Sequence, residues 1–392
     1  MGAAPCRETL KVLIPTLPRF ADLEPWLRRI DENRHYTNFG PLCRELEDRL
    51  SILIGAEHAI TVSSGTLGLE LALAALELGE ASRVLVPSMT FPATATAVVR
   101  AGLIPVFADI DERTLVMTPA IARRAVSRVE IHAVLTVAVH GQIHDPSAWD
   151  AFTVETGIPV LIDAAGVIGR QRVGRTTSTV FSLHATKPLA AGEGGVVATQ
   201  DDRLAHRVRS LSNFGFDRGR VRSTGTNAKL SEYHAAVALA ALGRWPETSG
   251  AWISLYDVYA RSLDRRGPAA HVRLATGRDA PSNLCVRLGR AIDDRDIQAL
   301  SEAGIETRRW YWPPVHRHPV FDRYSRADDL SATDRVGADL LGVPFHLQLD
   351  PGDIERVCTA LDSLPESRYE ERIEPTLDRE CTPRGWGMGA RR

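Results

Sequence analysis

The 392-residue chain is long enough for two packed domains, and with 44% apolar residues it can bury a sizeable core. Charged residues make up 24% and the formal net charge is −2, so there is no basic excess to make nucleic acid or an anionic membrane the main partner. No run of about 18 apolar residues predicts a transmembrane helix, and the start, Met1-Gly2-Ala3-Ala4-Pro5-Cys6, carries neither a signal-peptide core nor a myristoylation pattern.

Leu42, Leu46, Leu50 and Leu53 share one face and predict a helix over 42–54. Ala59-Ile60-Thr61-Val62 follows as a short buried strand, and 66–78 as a helix burying Leu69, Leu73 and Leu76. The alternation continues through strand 83–87, helix 92–101, strand 105–109, helix 118–127, strand 133–137, helix 146–156 and strand 159–163. Nearly continuous apolar strands separated by helices imply an α/β fold with a parallel sheet covered on both faces. Strands 179–183 and 195–199 are joined by a Gly-rich turn instead of a helix, which allows one of them to run antiparallel. An Ala/Leu helix over 228–243 is interrupted near Trp245-Pro246, and a helix around 250–264 leads into a second domain. That domain contains strand 284–288, helix 293–303, an aromatic loop at 310–321 and a last helix at 351–363. The expected division is therefore a large domain over 1–248, a small one over 249–365, and an aperiodic tail over 366–392 that is disordered or loosely docked.

Cys6, Cys43, Cys285, Cys358 and Cys381 are scattered, odd in number and without a Cys-x-x-Cys pair. Reduced thiols in a cytoplasmic protein are expected, with no disulfide framework and no metal site.

Three short segments carry chemistry. Ser63-Ser64-Gly65-Thr66 lies between a strand and a helix, where unpaired backbone donors and the positive end of the helix dipole suit a phosphate; Ser64 is equally an ordinary N-cap. Asp163 ends an apolar strand, at the edge where open α/β sheets bind ligands. It is either the partner of a protonated pyridine nitrogen or the cap of the next segment. Lys187 follows a strand and precedes Gly192-Glu193-Gly194-Gly195, in a chain whose only other lysines are Lys11 and Lys229. Arg supplies the rest of the positive charge, so Lys187 is either a solvated loop residue or a desolvated amine able to attack an aldehyde.

In order, these segments resemble the DegT/DnrJ/StrS-type sugar aminotransferases, a family of fold-type-I pyridoxal-phosphate enzymes, from Tyr36 to about Leu361. The entry Tyr36-Thr37-Asn38-Phe39-Gly40-Pro41 with Glu45 and Glu47, the turn Ser64-Gly65-Thr66, and Pro87-Ser88-Met89-Thr90-Phe91-Pro92-Ala93-Thr94 are similar to family motifs. So are Asp163-Ala164-Ala165, the stretch from Ser182 to Gly195, Gly225-Thr226-Asn227-Ala228-Lys229-Leu230, and Trp310-Tyr311-Trp312-Pro313-Pro314-Val315-His316. The resemblance implies a large domain with a mostly parallel seven-stranded sheet flanked by helices, and a smaller α+β C-terminal domain. It implies pyridoxal 5′-phosphate as cofactor and a homodimer with shared active sites. Lys187 would form the Schiff base and carry protons, and Asp163 would pair with the pyridinium. Ser64, Gly65, Thr66 and Ser182 would bind phosphate, with Asn227 reaching across the dimer. Phe91 would stack on the ring, or else be a core aromatic. His184, Lys229, Tyr311 and His316 are the candidate substrate contacts, although His184 also fits a capping role and His316 an ordering role in its loop.

One position departs from the family pattern. Gly166 stands where Gln or His is usual, which removes a side chain near the cofactor hydroxyl or the substrate. The expected reaction is amino transfer, with glutamate as donor and a keto sugar, nucleotide-linked, as acceptor. The alternatives are another pyridoxal-phosphate reaction (elimination, decarboxylation or carbon–carbon cleavage on an amino acid or cyclitol) and a catalytically silent cofactor-binding protein.

Overall fold

Helix boundaries in the first half follow local stop signals. In the computed structural model, which describes residues 9–266, 272–275 and 283–365, helices α1 (Phe20–Asn33) and α2 (Pro41–Ile54) precede strand β1 (His58–Val62). Gly55 closes α2 in the left-handed region at φ 71°, which only glycine adopts without strain. Then come α3 (Gly65–Ala75), β2 (Arg83–Pro87), α4 (Pro92–Arg100), β3 (Ile104–Ala108), α5 (Pro119–Val126), β4 (Ala133–Val137), α6 (Pro146–Thr156) and β5 (Val160–Asp163). Helices α5 and α6 each open on a proline behind a capping side chain, Thr118 and Asp145, so the missing N–H falls where no intrahelical partner exists. Strands β6 (Thr177–Ser182) and β7 (Gly195–Thr199), helix α7 (Asp202–Leu211), the ribbon β8 (Phe216–Asp217) and β9 (Arg220–Val221), and α8 (Glu232–Gly243) complete the large part.

The sheet has seven strands in the order β1-β7-β6-β5-β4-β2-β3. Strand β7 pairs antiparallel with both neighbours, while β6, β5, β4, β2 and β3 are mutually parallel. The short Gly-rich link between β6 and β7 is the cause, because a parallel return needs a long crossover. Leu46, Leu50, Trp149, Phe152 and Ala235 pack on one face. Leu69, Leu73, Val98 and Val208 pack on the other.

The second part is built on helix α9 (Trp245–Asp264) and a three-stranded antiparallel sheet, β10 (Arg273–Leu274), β11 (Leu284–Arg287) and β12 (Leu340–Val343), with β11 central. Helices α10 (Asp294–Glu302), α11 (Ser331–Asp339) and α12 (Pro351–Asp362) complete it. Trp252, Tyr259, Val286, Leu341, Phe345 and Val357 form its core. A further cluster joins the two parts, with Met89, Val137 and Val139 against Cys285, Val336 and Leu340.

Several elements differ from expectation. Trp245-Pro246 opens α9 instead of interrupting a helix, since Pro at the second helical position lacks an N–H that would have no partner there. Helix α9 therefore begins five residues before the expected start at 250 and is continuous through the 248–249 division. Helix α8 starts at Glu232, after Ser231 caps it by accepting the His234 N–H. Helices α1, α7 and α11 and strands β10 and β12 were not anticipated. In α1 the interior Pro25 disguises the pattern, and packing of Trp26, Leu27 and Ile30 into the core offsets the lost hydrogen bond. Cys43, Cys285 and Cys358 are buried and form no disulfide among the described residues, while Cys6, Cys381 and the 366–392 tail lie outside the described residues. No helix among the described residues is long and apolar enough to cross a membrane.

Candidate active site

Strands β1, β2, β4, β5 and β6 share one direction, so Val62, Pro87, Val137, Asp163 and Ser182 all end at the same edge of the sheet. The residues that follow those ends meet there.

Asp163 closes β5 and is 6% exposed. Its Oδ2 accepts the Thr94 hydroxyl at 2.8 Å and its Oδ1 accepts the Ala165 N–H at 3.2 Å. Thr94 Oγ1 lies 2.7 Å from Thr90 Oγ1. Because Thr94 gives its proton to the carboxylate, Thr90 donates in turn, and the two hydroxyls form a relay aimed at Asp163. Burial pushes the Asp163 carboxyl above its ordinary value, opposed by Thr94, Ala165 and the Lys187 ammonium. Lys187 is half-buried, in a turn closed by its own N–H to the His184 carbonyl at 2.9 Å and by Ala185 N–H to the Gly192 carbonyl at 2.9 Å. Burial lowers its amine below the ordinary 10.5, with Asp163 opposing. Each group of the pair is thus destabilised in its charged form by its surroundings and restrained by the other.

Beside this pair, α3 presents its N-terminus. Ser64 Oγ accepts the Leu67 N–H at 3.1 Å and acts as the cap. Gly65, the first helical residue, faces Ser182, and a Cβ there would stand 3.0 Å from the Ser182 Cβ. The missing side chain leaves a cradle of backbone donors next to the Ser182 and Thr66 hydroxyls, suited to a dianion. Ser182 Oγ accepts the His184 N–H at 3.2 Å. A Cβ on Gly195 would sit 2.6 Å from the Ser64 carbonyl, so the turn is also held from behind.

Phe91 caps α4 with its ring 56% exposed, so it is no core aromatic, and the ring lies 6.1 Å from that of Tyr311. The other candidates are more scattered. His184 is exposed, with Nδ1 3.0 Å from the Thr186 hydroxyl and Nε2 3.9 Å from Glu193. His316 is 1% exposed, with Nδ1 2.5 Å from Ser88 Oγ and Nε2 3.5 Å from Asp334. There it pins the aromatic loop to the end of β2. Lys229 donates to Asn213 Oδ1 at 3.1 Å and covers the Phe214 ring. Asn227 is exposed, next to Ala228, whose carbonyl accepts the Ser63 N–H at 2.8 Å. Gly166 is half-buried beyond Ala165.

Thr90 and Thr94 were not assigned roles from sequence, although both lie in the quoted 87–94 segment. Their shared place in the turn and first helical residues after β2, at the ligand-binding edge, was the available signal. His140 was also passed over, although it follows a strand end at the ligand-binding edge.

The chain as a whole is similar to known proteins over most of its length. The model of the DegT/DnrJ/EryC1/StrS aminotransferase family matches residues 21–362. The chain is 32% identical over 342 residues to GDP-perosamine synthase of Caulobacter vibrioides, covering 84% of this chain and 91% of that protein. It is 31% identical over 350 residues to UDP-2-acetamido-2-deoxy-3-oxo-D-glucuronate aminotransferase of Pseudomonas aeruginosa, covering 86% and 95%. Among solved structures, DesI in the presence of its TDP-sugar product superposes with a TM-score of 0.82 at 32% identity, covering 92% of this chain and 94% of that one.

Proposed function

Because the chain belongs to the DegT/DnrJ/EryC1/StrS aminotransferase family, we propose that it binds pyridoxal 5′-phosphate through Lys187 and moves an amino group from glutamate to a nucleotide-linked keto sugar. The observation that carries this reading is the Asp163–Lys187 pair beside a bare helix N-terminus at one sheet edge. When bound, the cofactor supplies an aldehyde and an electron-withdrawing ring.

This chain's residues do the rest. Asp163, buried and fed by the Thr90–Thr94 relay, holds a proton on the ring nitrogen. A cation at that point relieves the desolvation of the carboxylate. The start of α3, with Gly65, Thr66 and Ser182, anchors the phosphate. Phe91 covers one ring face. Lys187 Nζ, whose charged form is disfavoured by burial, would be the amine that holds the cofactor and would move a proton at its own nitrogen. The ribbon β8–β9 exposes Phe214, Phe216 and Val221. These side chains offer apolar surface to a second copy of the chain, and the family resemblance implies that Asn227 then reaches the phosphate of its neighbour. The sugar acceptor is supported by the relatives named above, which are described as making or holding nucleotide-linked amino sugars.

Protein produced with abundant vitamin B6 tests the reading. A yellow product, an adduct on the Lys187 peptide after borohydride, bleaching by glutamate and recovery of colour with a nucleotide-linked keto sugar are the expected results. Colourless protein without a fixable adduct refutes it. An adduct that no amino donor bleaches overturns amino transfer and leaves other chemistry on the same lysine.

A further inference from the structure

The sheet edge that carries Asp163 also carries a buried side chain with an unmet hydrogen-bonding atom. Beyond β4, the Ala138 N–H donates to the Asp163 carbonyl at 2.9 Å. Two residues later His140 turns the chain in the left-handed region at φ 50°. Its imidazole is 4% exposed. Nδ1 lies 3.2 Å from Asn283 Oδ1 and 3.5 Å from Cys285 Sγ. An amide oxygen can only accept, so Nδ1 carries the ring proton. Nε2 is then a bare lone pair, buried and without a hydrogen-bond partner among the described residues. Burial pushes the imidazole down to about 4 against the pull of Asn283, so the ring is neutral at physiological pH. Buried acceptors are nearly always paired, and an unpaired one beside a binding edge is a place where a ligand completes the bond.

The surroundings agree with that placement. The His140 ring stacks on Tyr311, with centroids 5.4 Å apart and planes 22° apart. Tyr311 in turn approaches Phe91 at 6.1 Å. Its phenol is raised by burial, by Cys285 and by the charge of Asp163, so it is within electrostatic reach of that carboxylate. A wall of three rings thus runs from Phe91 to His140, at the junction where Asn283 and Cys285 of the second part meet the large sheet.

We propose that His140 Nε2 accepts a hydrogen bond from a ring hydroxyl of the sugar acceptor, making the His140–Tyr311 pair a determinant of which polyhydroxylated substrate is aminated. The inference rests on the function proposed above and narrows its substrate class. A nitrogen lone pair receives a hydroxyl or an amine, so this position favours an acceptor that presents a hydroxyl there.

The test compares binding of a nucleotide-linked keto hexose with a panel of analogues, each lacking one ring hydroxyl. Wild-type holoenzyme and His140→Phe, which keeps a ring against Tyr311 and removes both nitrogens, are titrated by calorimetry. The visible band serves only to count loaded protein. Wild type is expected to bind one analogue roughly tenfold to a hundredfold more weakly than the parent sugar. His140→Phe is expected to bind that analogue and the parent alike. The reading compares ratios within each protein, so a general loss of affinity does not imitate the result. Equal binding of all sugars by wild type, or the wild-type pattern retained in His140→Phe, overturns the inference. Should His140→Phe fail to fold, His140→Asn is measured in its place; it offers a shorter acceptor, and an unchanged pattern there overturns the inference too. If wild type binds no nucleotide-linked sugar but aminates a keto acid, the functional reading itself falls.

Discussion

Replacing Thr94 by Val tests the electrostatics of the site with almost no change of shape. The methyl that replaces the hydroxyl ends the 2.8 Å bond to Asp163 Oδ2 and strands the Thr90 hydroxyl 2.7 Å behind it. Asp163 then keeps only the Ala165 N–H and the attraction of Lys187 against its burial. A hydrogen bond to a charged group contributes about 1.5–3 kcal/mol, and one pKa unit corresponds to about 1.4 kcal/mol. The Asp163 carboxyl should therefore rise further above its ordinary value. In the loaded enzyme the loss weakens the hold on the ring-nitrogen proton, and bleaching by glutamate should slow by about tenfold to a hundredfold at neutral pH. Stopped-flow absorbance across pH gives both quantities. The acid limb of the profile should move to higher pH in Thr94→Val, with the basic limb in place. An acid limb that stays where it is in wild type refutes the relay, whatever happens to the overall rate.

Two further outcomes follow from the same geometry. Gly195→Ala puts a Cβ 2.6 Å from the backbone of Ser64 and Gly65, where no flexible side chain can yield. A loss of about 1–3 kcal/mol is expected, seen as a thermal midpoint several degrees lower and faster loss of cofactor on dialysis; an unchanged midpoint contradicts the close approach. The Lys187 amine is depressed by burial, so its reactive neutral form appears at lower pH than for a free lysine. The rate at which cofactor-free protein forms its coloured adduct should rise with pH and level off well below the ordinary 10.5, and a rate still climbing at that pH disproves the depression.

The cofactor half of the site was legible because it is built from strand ends. Val62, Asp163 and Ser182 close buried strands of four to six residues, and the turn that follows each strand is specified by neighbours in sequence. Position along such a strand fixes which edge a residue reaches, so Ser64, Gly65, Asp163 and Lys187 could be placed together before any coordinates. The same reasoning misread elements whose signal is not local. Pro25 looks like a breaker until Ile30 is seen to pack in the core, and β10 and β12 are short strands of two and four residues that exist only by pairing with β11. His316 shows the limit for chemistry. Its loop suggested either a substrate contact or an ordering role, and its Nδ1 meets Ser88 across 228 residues of sequence, a pairing that no periodicity encodes. The proposed substrate half falls wholly in this second class. Phe91, His140, Asn283 and Tyr311 come from four separate segments, and His140 meets Asn283 across 143 residues. Phe91 and Tyr311 stand out within their own segments but His140 and Asn283 do not, and only the packing of the second part against the sheet brings the four together. Relatives that keep the local strand-end motifs can therefore keep the cofactor chemistry while this long-range wall changes, which separates reaction type from substrate choice in physical terms.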